Sequence, residues 1–196
     1  MGSFGRILAL ALVTAVIAYS SAHKCTLTGR YGPYEGDFTR EMRVMQRQVL
    51  RRHNHYRRLH GVPILRLNKK LSRIAQGWAQ HLADAKDLKH LDREYGENLY
   101  AGTSGASNGK EIVDYWYSEI CKYDYNNPKI DDSTGHFTHI VWKSGRLLGV
   151  GFAKGSDGMD YVACFYKPKQ IPEYASTNVL RPINGIPRKC RDMAHK

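Results

Sequence analysis

Gly135-His136-Phe137-Thr138-His139-Ile140-Val141-Trp142 sets a histidine in a short aromatic and β-branched run that a glycine opens and a tryptophan closes. That composition suits a half-buried pleated surface and predicts a strand over Phe137–Trp142. An imidazole held there needs a polar partner. Three candidates stand upstream: His90, Glu97 in Gly96-Glu97-Asn98-Leu99, and Glu119 in Trp116-Tyr117-Ser118-Glu119-Ile120. Two imidazoles and two carboxylates converging on one cleft have more than one chemistry open to them. Neutral imidazoles ligate Zn²⁺ while carboxylates orient them or complete the shell. A glutamate beside a metal-bound water can serve as general base. The same residues can instead be structural, the glutamates tying loops and the histidines lining polar walls. The strongest sequence sign of a zinc protease, a contiguous His-Glu-x-x-His helix, is absent. A hydrolase would need Ser118 or Ser133 beside a histidine, and serine is common in loops. Without an evident nucleophile the pattern favours binding over turnover.

The elements that must carry these residues follow from periodicity and punctuation. Thr39–His60 has helical spacing and stops at Gly61-Val62-Pro63. Asn68 is placed to cap a helix from Lys69 to about Lys86, with Leu71, Ile74, Ala75, Trp78 and Leu82 on its apolar face. Gly102–Gly109 is a small-residue loop and Lys110–Cys121 a third helix. Tyr123–Gly135 is a polar loop, and strands are expected over Phe137–Trp142, Leu147–Ala153 and Tyr161–Tyr166, the last two joined at Gly155-Ser156-Asp157-Gly158. Beyond Lys167 four prolines predict an irregular tail. Helices first and an antiparallel meander last indicate an α+β domain.

The 196 residues, 42% of them hydrophobic, suffice for one globular core. Residues 1–22 read as a secretory signal peptide: Arg6, the apolar run Ile7–Tyr19, then Ser20-Ser21-Ala22 at the cleavage positions. Residues 23–38 form an extended tail rich in Gly and Tyr. A secreted, extracellular protein permits disulfides, and the four cysteines, Cys25, Cys121, Cys164 and Cys190, all follow the leader. The formal charge is +12, and Arg40, Arg43, Arg47, Arg51 and Arg58 recur at helical spacing. Such a face suits an anionic membrane or a sulfated glycan, or is simply solvated. Nucleic acid is not expected, since no aromatic-rich basic recognition motif accompanies an exported chain.

Four motifs together resemble the CAP superfamily of cysteine-rich secretory, venom-allergen and plant pathogenesis-related proteins. They are His53-Asn54-His55-Tyr56-Arg57, Gly96-Glu97-Asn98-Leu99, Gly135 to Ser144, and Tyr161 to Pro168. They occur in family order, and the compact Golgi-associated type is the most similar subgroup, although that type usually lacks a leader. The resemblance implies a three-layer α-β-α sandwich with a central antiparallel sheet, and a CAP domain over residues 39–170 followed by a tail over 171–196. It implies that His90, Glu97, Glu119 and His136 form a cleft able to hold Zn²⁺ or another divalent metal. It also implies a lipid or sterol partner, because Tyr123-Asp124-Tyr125-Asn126-Asn127-Pro128-Lys129-Ile130 resembles the family's sterol-binding loop; Tyr123, Tyr125, Pro128 and Ile130 would meet the ligand from a mobile loop. The chain departs from the family at His139, often Gln, which adds an imidazole near the cleft, and at Phe165, usually polar. Val150 stands where a strand cysteine is usual, which leaves Cys121 as the expected partner of Cys164, with Cys25 paired to Cys190.

Overall fold

The computed structural model describes residues 32–91, 94–187 and 190; the expected leader and Cys25 lie outside them. Among the described residues the helices are α1 (Arg40–Leu59), α2 (Lys69–Ala85), α3 (Gly109–Tyr117), α4 (Gly135–Val141) and α5 (Ala175–Asn178). The strands are β1 (Arg66–Leu67), β2 (Gly96–Thr103), β3 (Leu147–Lys154) and β4 (Met159–Lys167). Short 3₁₀ turns cover Ser118–Lys122 and Pro172–Tyr174. None of these helices is long and apolar enough to cross a membrane.

Side chains at the helix starts explain their boundaries. Thr39 Oγ1 accepts from Met42 N at 3.2 Å and Asn68 Oδ1 from Leu71 N at 2.8 Å. At α3 the cap is reciprocal: Asn108 Oδ1 accepts from Glu111 N, and Glu111 Oε2 accepts from Asn108 N at 2.9 Å.

The strands lie in the order β1-β3-β4-β2. β3 pairs antiparallel with β4 and β4 with β2, while β1 adds two residues parallel to β3, so the sheet is mixed at one edge. Strand alternation separates two cores. Val162, Cys164 and Tyr166 join α1, α3 and α4 on one face, and Tyr161, Ala163 and Phe165 join α2 on the other. This is the α-β-α sandwich. Phe165, unusual for the motif, stacks on Tyr95 at 5.7 Å within the α2 core. Gly149 and Gly151 let α2 lie directly on β3, because a Cβ at either position would overlap the backbone of Leu71 or Ala75.

Three expectations need correction. Gly135–Val141 is helix, not strand. Phe137, Ile140 and Val141 sit at i, i+3 and i+4, so all three enter the α1-side core together. Gly96–Thr103, read as a motif and a loop, is a full strand. The disulfide joins Cys121 to Cys190, with Cα atoms 4.7 Å apart, and Cys164 is a free buried thiol. Cys164 faces the core from the middle of the sheet, opposite Val150 and Asn98 in register. Cys121 lies on the half-buried 3₁₀ turn that the C-terminal tail reaches. Pairing of Cys190 with Cys121 also excludes Cys25–Cys190.

Candidate functional site

Two glutamates make the same clasp on two histidines. Glu119 accepts from His136 Nδ1 at 2.7 Å and from the next backbone amide, Phe137 N, at 3.0 Å. Glu97 accepts from His90 Nδ1 at 2.6 Å and from Leu91 N at 3.1 Å. Glu97 uses one oxygen for both bonds; its other oxygen, Oε1, is buried with no hydrogen-bond partner. Because each Nδ1–H donates to a carboxylate, each ring keeps its lone pair on Nε2.

His90 and His136 line one cavity of about 280 Å³, together with Leu88, Leu99, Tyr100, Ala101 and Tyr115. All four expected cleft residues therefore come to one place, the glutamates behind the rings. The carboxylates act as orienting partners, and among the described residues no group of three or more His, Cys, Asp or Glu side chains is arranged to hold a metal ion.

The surroundings fix His136 firmly. Its ring stacks on Trp116, with centroids 5.9 Å apart and planes 12° apart. Its backbone carbonyl accepts from Asn98 Nδ2 at 3.0 Å. At the other end of α4, the fully buried Arg57 donates to the carbonyls of Ile140, Trp142 and Gly145, and also to Pro63. Burial lowers the Arg57 pKa to about 10, and those four carbonyls are what hold the charge. Asn98, Trp116 and Arg57 were not singled out as site residues from sequence, yet Asn98 and Arg57 stand inside two of the quoted motifs.

His90 is different: its side chain is 68% exposed against 28% for His136. The hydrogen bond to Glu97 raises its pKa above 6.5, against a smaller opposing effect of burial. His139, the additional imidazole, stacks on Tyr166 at 5.1 Å and donates from Nδ1 to Gly135 O at 3.0 Å. Burial drives its pKa down to about 3, so it is neutral at ordinary pH. Its Nε2 lies against Gly96, where a Cβ would overlap it.

Tyr123 and Tyr125 do not present an exposed aromatic cover. Tyr123 is buried against Phe137 at 5.5 Å, Tyr125 packs edge-on to Tyr123 at 4.8 Å, and Arg181 lies over the Tyr125 ring. Both hydroxyls are buried with no hydrogen-bond partner. Pro128 and Ile130 are half-buried. The loop is held inward because Cys121 is bonded to Cys190 and Asn126 Oδ1 accepts from Arg181 at 2.8 Å.

The candidate nucleophiles are committed elsewhere. Ser118 Oγ donates to Tyr115 O and Ser133 Oγ to Asp131. Gly105-Ala106-Ser107-Asn108-Gly109 has the spelling of a nucleophile elbow, but the cavity that Ser107 lines contains no histidine.

The cysteine-rich secretory protein (CAP) family profile matches residues 50–166. The human Golgi-associated plant pathogenesis-related protein 1 is 46% identical over 125 residues, covering 62% of this chain and 80% of that protein. Secreted protein RBT4 of Candida albicans is 33% identical over 150 residues, covering 69% of this chain but 40% of its own length. Among solved structures, hookworm platelet inhibitor superposes with a TM-score of 0.57 at 20% identity, over 81% of this chain and 86% of that one, a likeness of fold. With its motifs, its sandwich and its paired histidines and glutamates in place, the chain belongs to the cysteine-rich secretory protein family.

Proposed function

We propose that this protein is an exported binding protein whose cleft takes a divalent cation between His90 and His136. The observation that carries the reading is the repeated clasp: both Nδ1 atoms are engaged by carboxylates, and both rings line one cavity. A carboxylate behind a histidine fixes its tautomer and makes Nε2 a better ligand. The donor set thus fits Zn²⁺ through two nitrogens, with Glu97 and Glu119 as orienting groups and water or ligand oxygens completing the shell. Export rests on the N-terminal leader and agrees with a relative named as secreted.

Titrating the full chain with ZnCl₂ by calorimetry tests this. One equivalent is expected to bind; His90→Ala and His136→Ala each abolish binding, and Glu97→Gln or Glu119→Gln weakens it about tenfold. Undiminished binding in both histidine variants would sink the proposal. A chelator-sensitive esterase or peptidase activity lost in Glu97→Gln would favour the hydrolase reading instead.

A lipid reading has its own support in Tyr123 and Tyr125, whose two buried hydroxyls lack partners. An unpaired buried hydroxyl is unfavourable by about 1–3 kcal/mol, and a sterol hydroxyl admitted by an outward loop movement would relieve it. Sterol is expected to bind at about micromolar affinity, roughly −8 kcal/mol, and Tyr123→Phe/Tyr125→Phe to bind less. Phenylalanine is the informative replacement, because serine at Tyr123 would empty part of the core. Equal sterol binding by the double Phe variant removes the role of the hydroxyls.

A further inference from the structure

Helix α1 carries three kinds of arginine. Arg57 is buried among carbonyls. Arg52 is half-buried and paired with Asp114. Arg40, Arg43, Arg47, Arg51 and Arg58 are exposed, and none makes an ion pair among the described residues. At ~100° and ~1.5 Å per residue, these five lie in an arc of about 80° along about 27 Å of helix.

The nearby acids are already engaged. Glu41, the helix's own acid, is 3.0 Å from Lys154. Asp114 on α3 is shared by Arg52, Lys110 and the Tyr56 hydroxyl. Glu111 is tied to the Asn108 cap. Local hydrogen bonds occupy only part of two guanidinium groups, Arg43 to Phe38 O and Arg58 to Asn54 O. The row keeps most of its donors.

We propose that this face of α1 binds a sulfated polysaccharide. Sulfate oxygens match the planar guanidinium fork bidentately, and cations about 4.5–6 Å apart from Arg40 to Arg51, with Arg58 about 10 Å further along, suit a linear chain of repeated anions. A bilayer surface is a poorer match. The exposed large apolar residue of α1, Leu59, stands at its very end, so the face offers nothing along its length to enter a lipid interface.

The test is affinity of the full chain for a heparin octasaccharide as a function of salt. Arg47→Ala/Arg51→Ala is expected to weaken binding at least about tenfold, with the log–log salt slope falling by about one per arginine removed. Lys69→Ala/Lys70→Ala removes the same charge from α2 and is expected to change affinity less than about twofold. Equal losses in the two doubles would mean that net charge alone attracts the polymer and would overturn the site. Phosphatidylserine vesicles, or a single-stranded oligonucleotide, bound as tightly as the octasaccharide and with the same dependence on Arg47 and Arg51 would also overturn it. Should the alanine double melt at a lower temperature than the parent, Arg47→Gln/Arg51→Gln decides.

Discussion

The two walls of the cleft share one chemical device and differ in what stands behind it. On the His136 wall the clasp by Glu119 is backed by Trp116, Asn98 and the buried Arg57, and a disulfide begins two residues beyond the glutamate. On the His90 wall the clasp by Glu97 closes an exposed segment that leaves α2 through Lys86, a non-glycine residue at φ 53°. One imidazole is pre-set by the core. The other is set by its carboxylate, and its position depends on a loop. In a pocket made this way, geometry comes from one wall and responsiveness from the other.

The largest effect is expected from removing the support of the His136 wall. Arg57→Met strips charged donors from three buried carbonyls and from that of Pro63, and is expected to cost about 3–5 kcal/mol in urea unfolding. Cation binding should be lost as α4 loosens. A loss below about 1 kcal/mol would show that α4 does not depend on this clamp. Next comes Cys190→Ser, which opens a link between residues 69 apart in sequence; about 2–4 kcal/mol is expected, with cation affinity falling by the His136 side alone.

Acid should act on the buried imidazoles and on the exposed His90 with opposite signs. Burial holds His53 at about 4 and His139 at about 3, below the ordinary 6.5. As pH falls below 6.5 the unfolded chain takes up protons that the folded chain refuses, so their contribution to stability is lost progressively toward pH 4. His90 is raised by Glu97, so its ion pair contributes fully below 6.5 and fades as pH rises through the raised value. The buried imidazoles, with His60 also lowered by burial, outweigh one exposed pair, and net stability should fall by about 2–3 kcal/mol between pH 6.5 and 5. Cation affinity should fall over the range where His90 gains its proton, and Glu97→Gln, which still binds but lacks the carboxylate that raises His90, should move that range to lower pH. The smallest effect belongs to Lys86→Gly, which relieves the left-handed backbone and is expected to stabilise by under about 1 kcal/mol.

Much of the cleft was legible in the sequence because its motifs carry the residues that must meet: Glu97 and Asn98 lie in one, His136 in another. The strand assigned to Phe137–Trp142 failed for a definite reason. Six residues that include Phe, Thr, Ile and Val fit either period, and what decides between them is Arg57, some eighty residues upstream, donating to the carbonyls of Ile140 and Trp142. The disulfide failed likewise. Nothing local to Cys164 reveals that its strand position points it into the core, while Cys121 meets a tail that returns from the far end of the chain. The tyrosines of the Tyr123–Ile130 loop look like a ligand cover until Arg181 and Cys190 draw them inward.

That last link also governs how the protein ages in a protease-rich setting. A cut in the loops that flank α5, between Lys167 and Pro187, would leave the C-terminal piece fastened to Cys121, with Arg181 still able to sit on Tyr125 if the cut falls before it. Such a clipped, two-chain form should migrate as a single species without reductant and separate into two fragments with it.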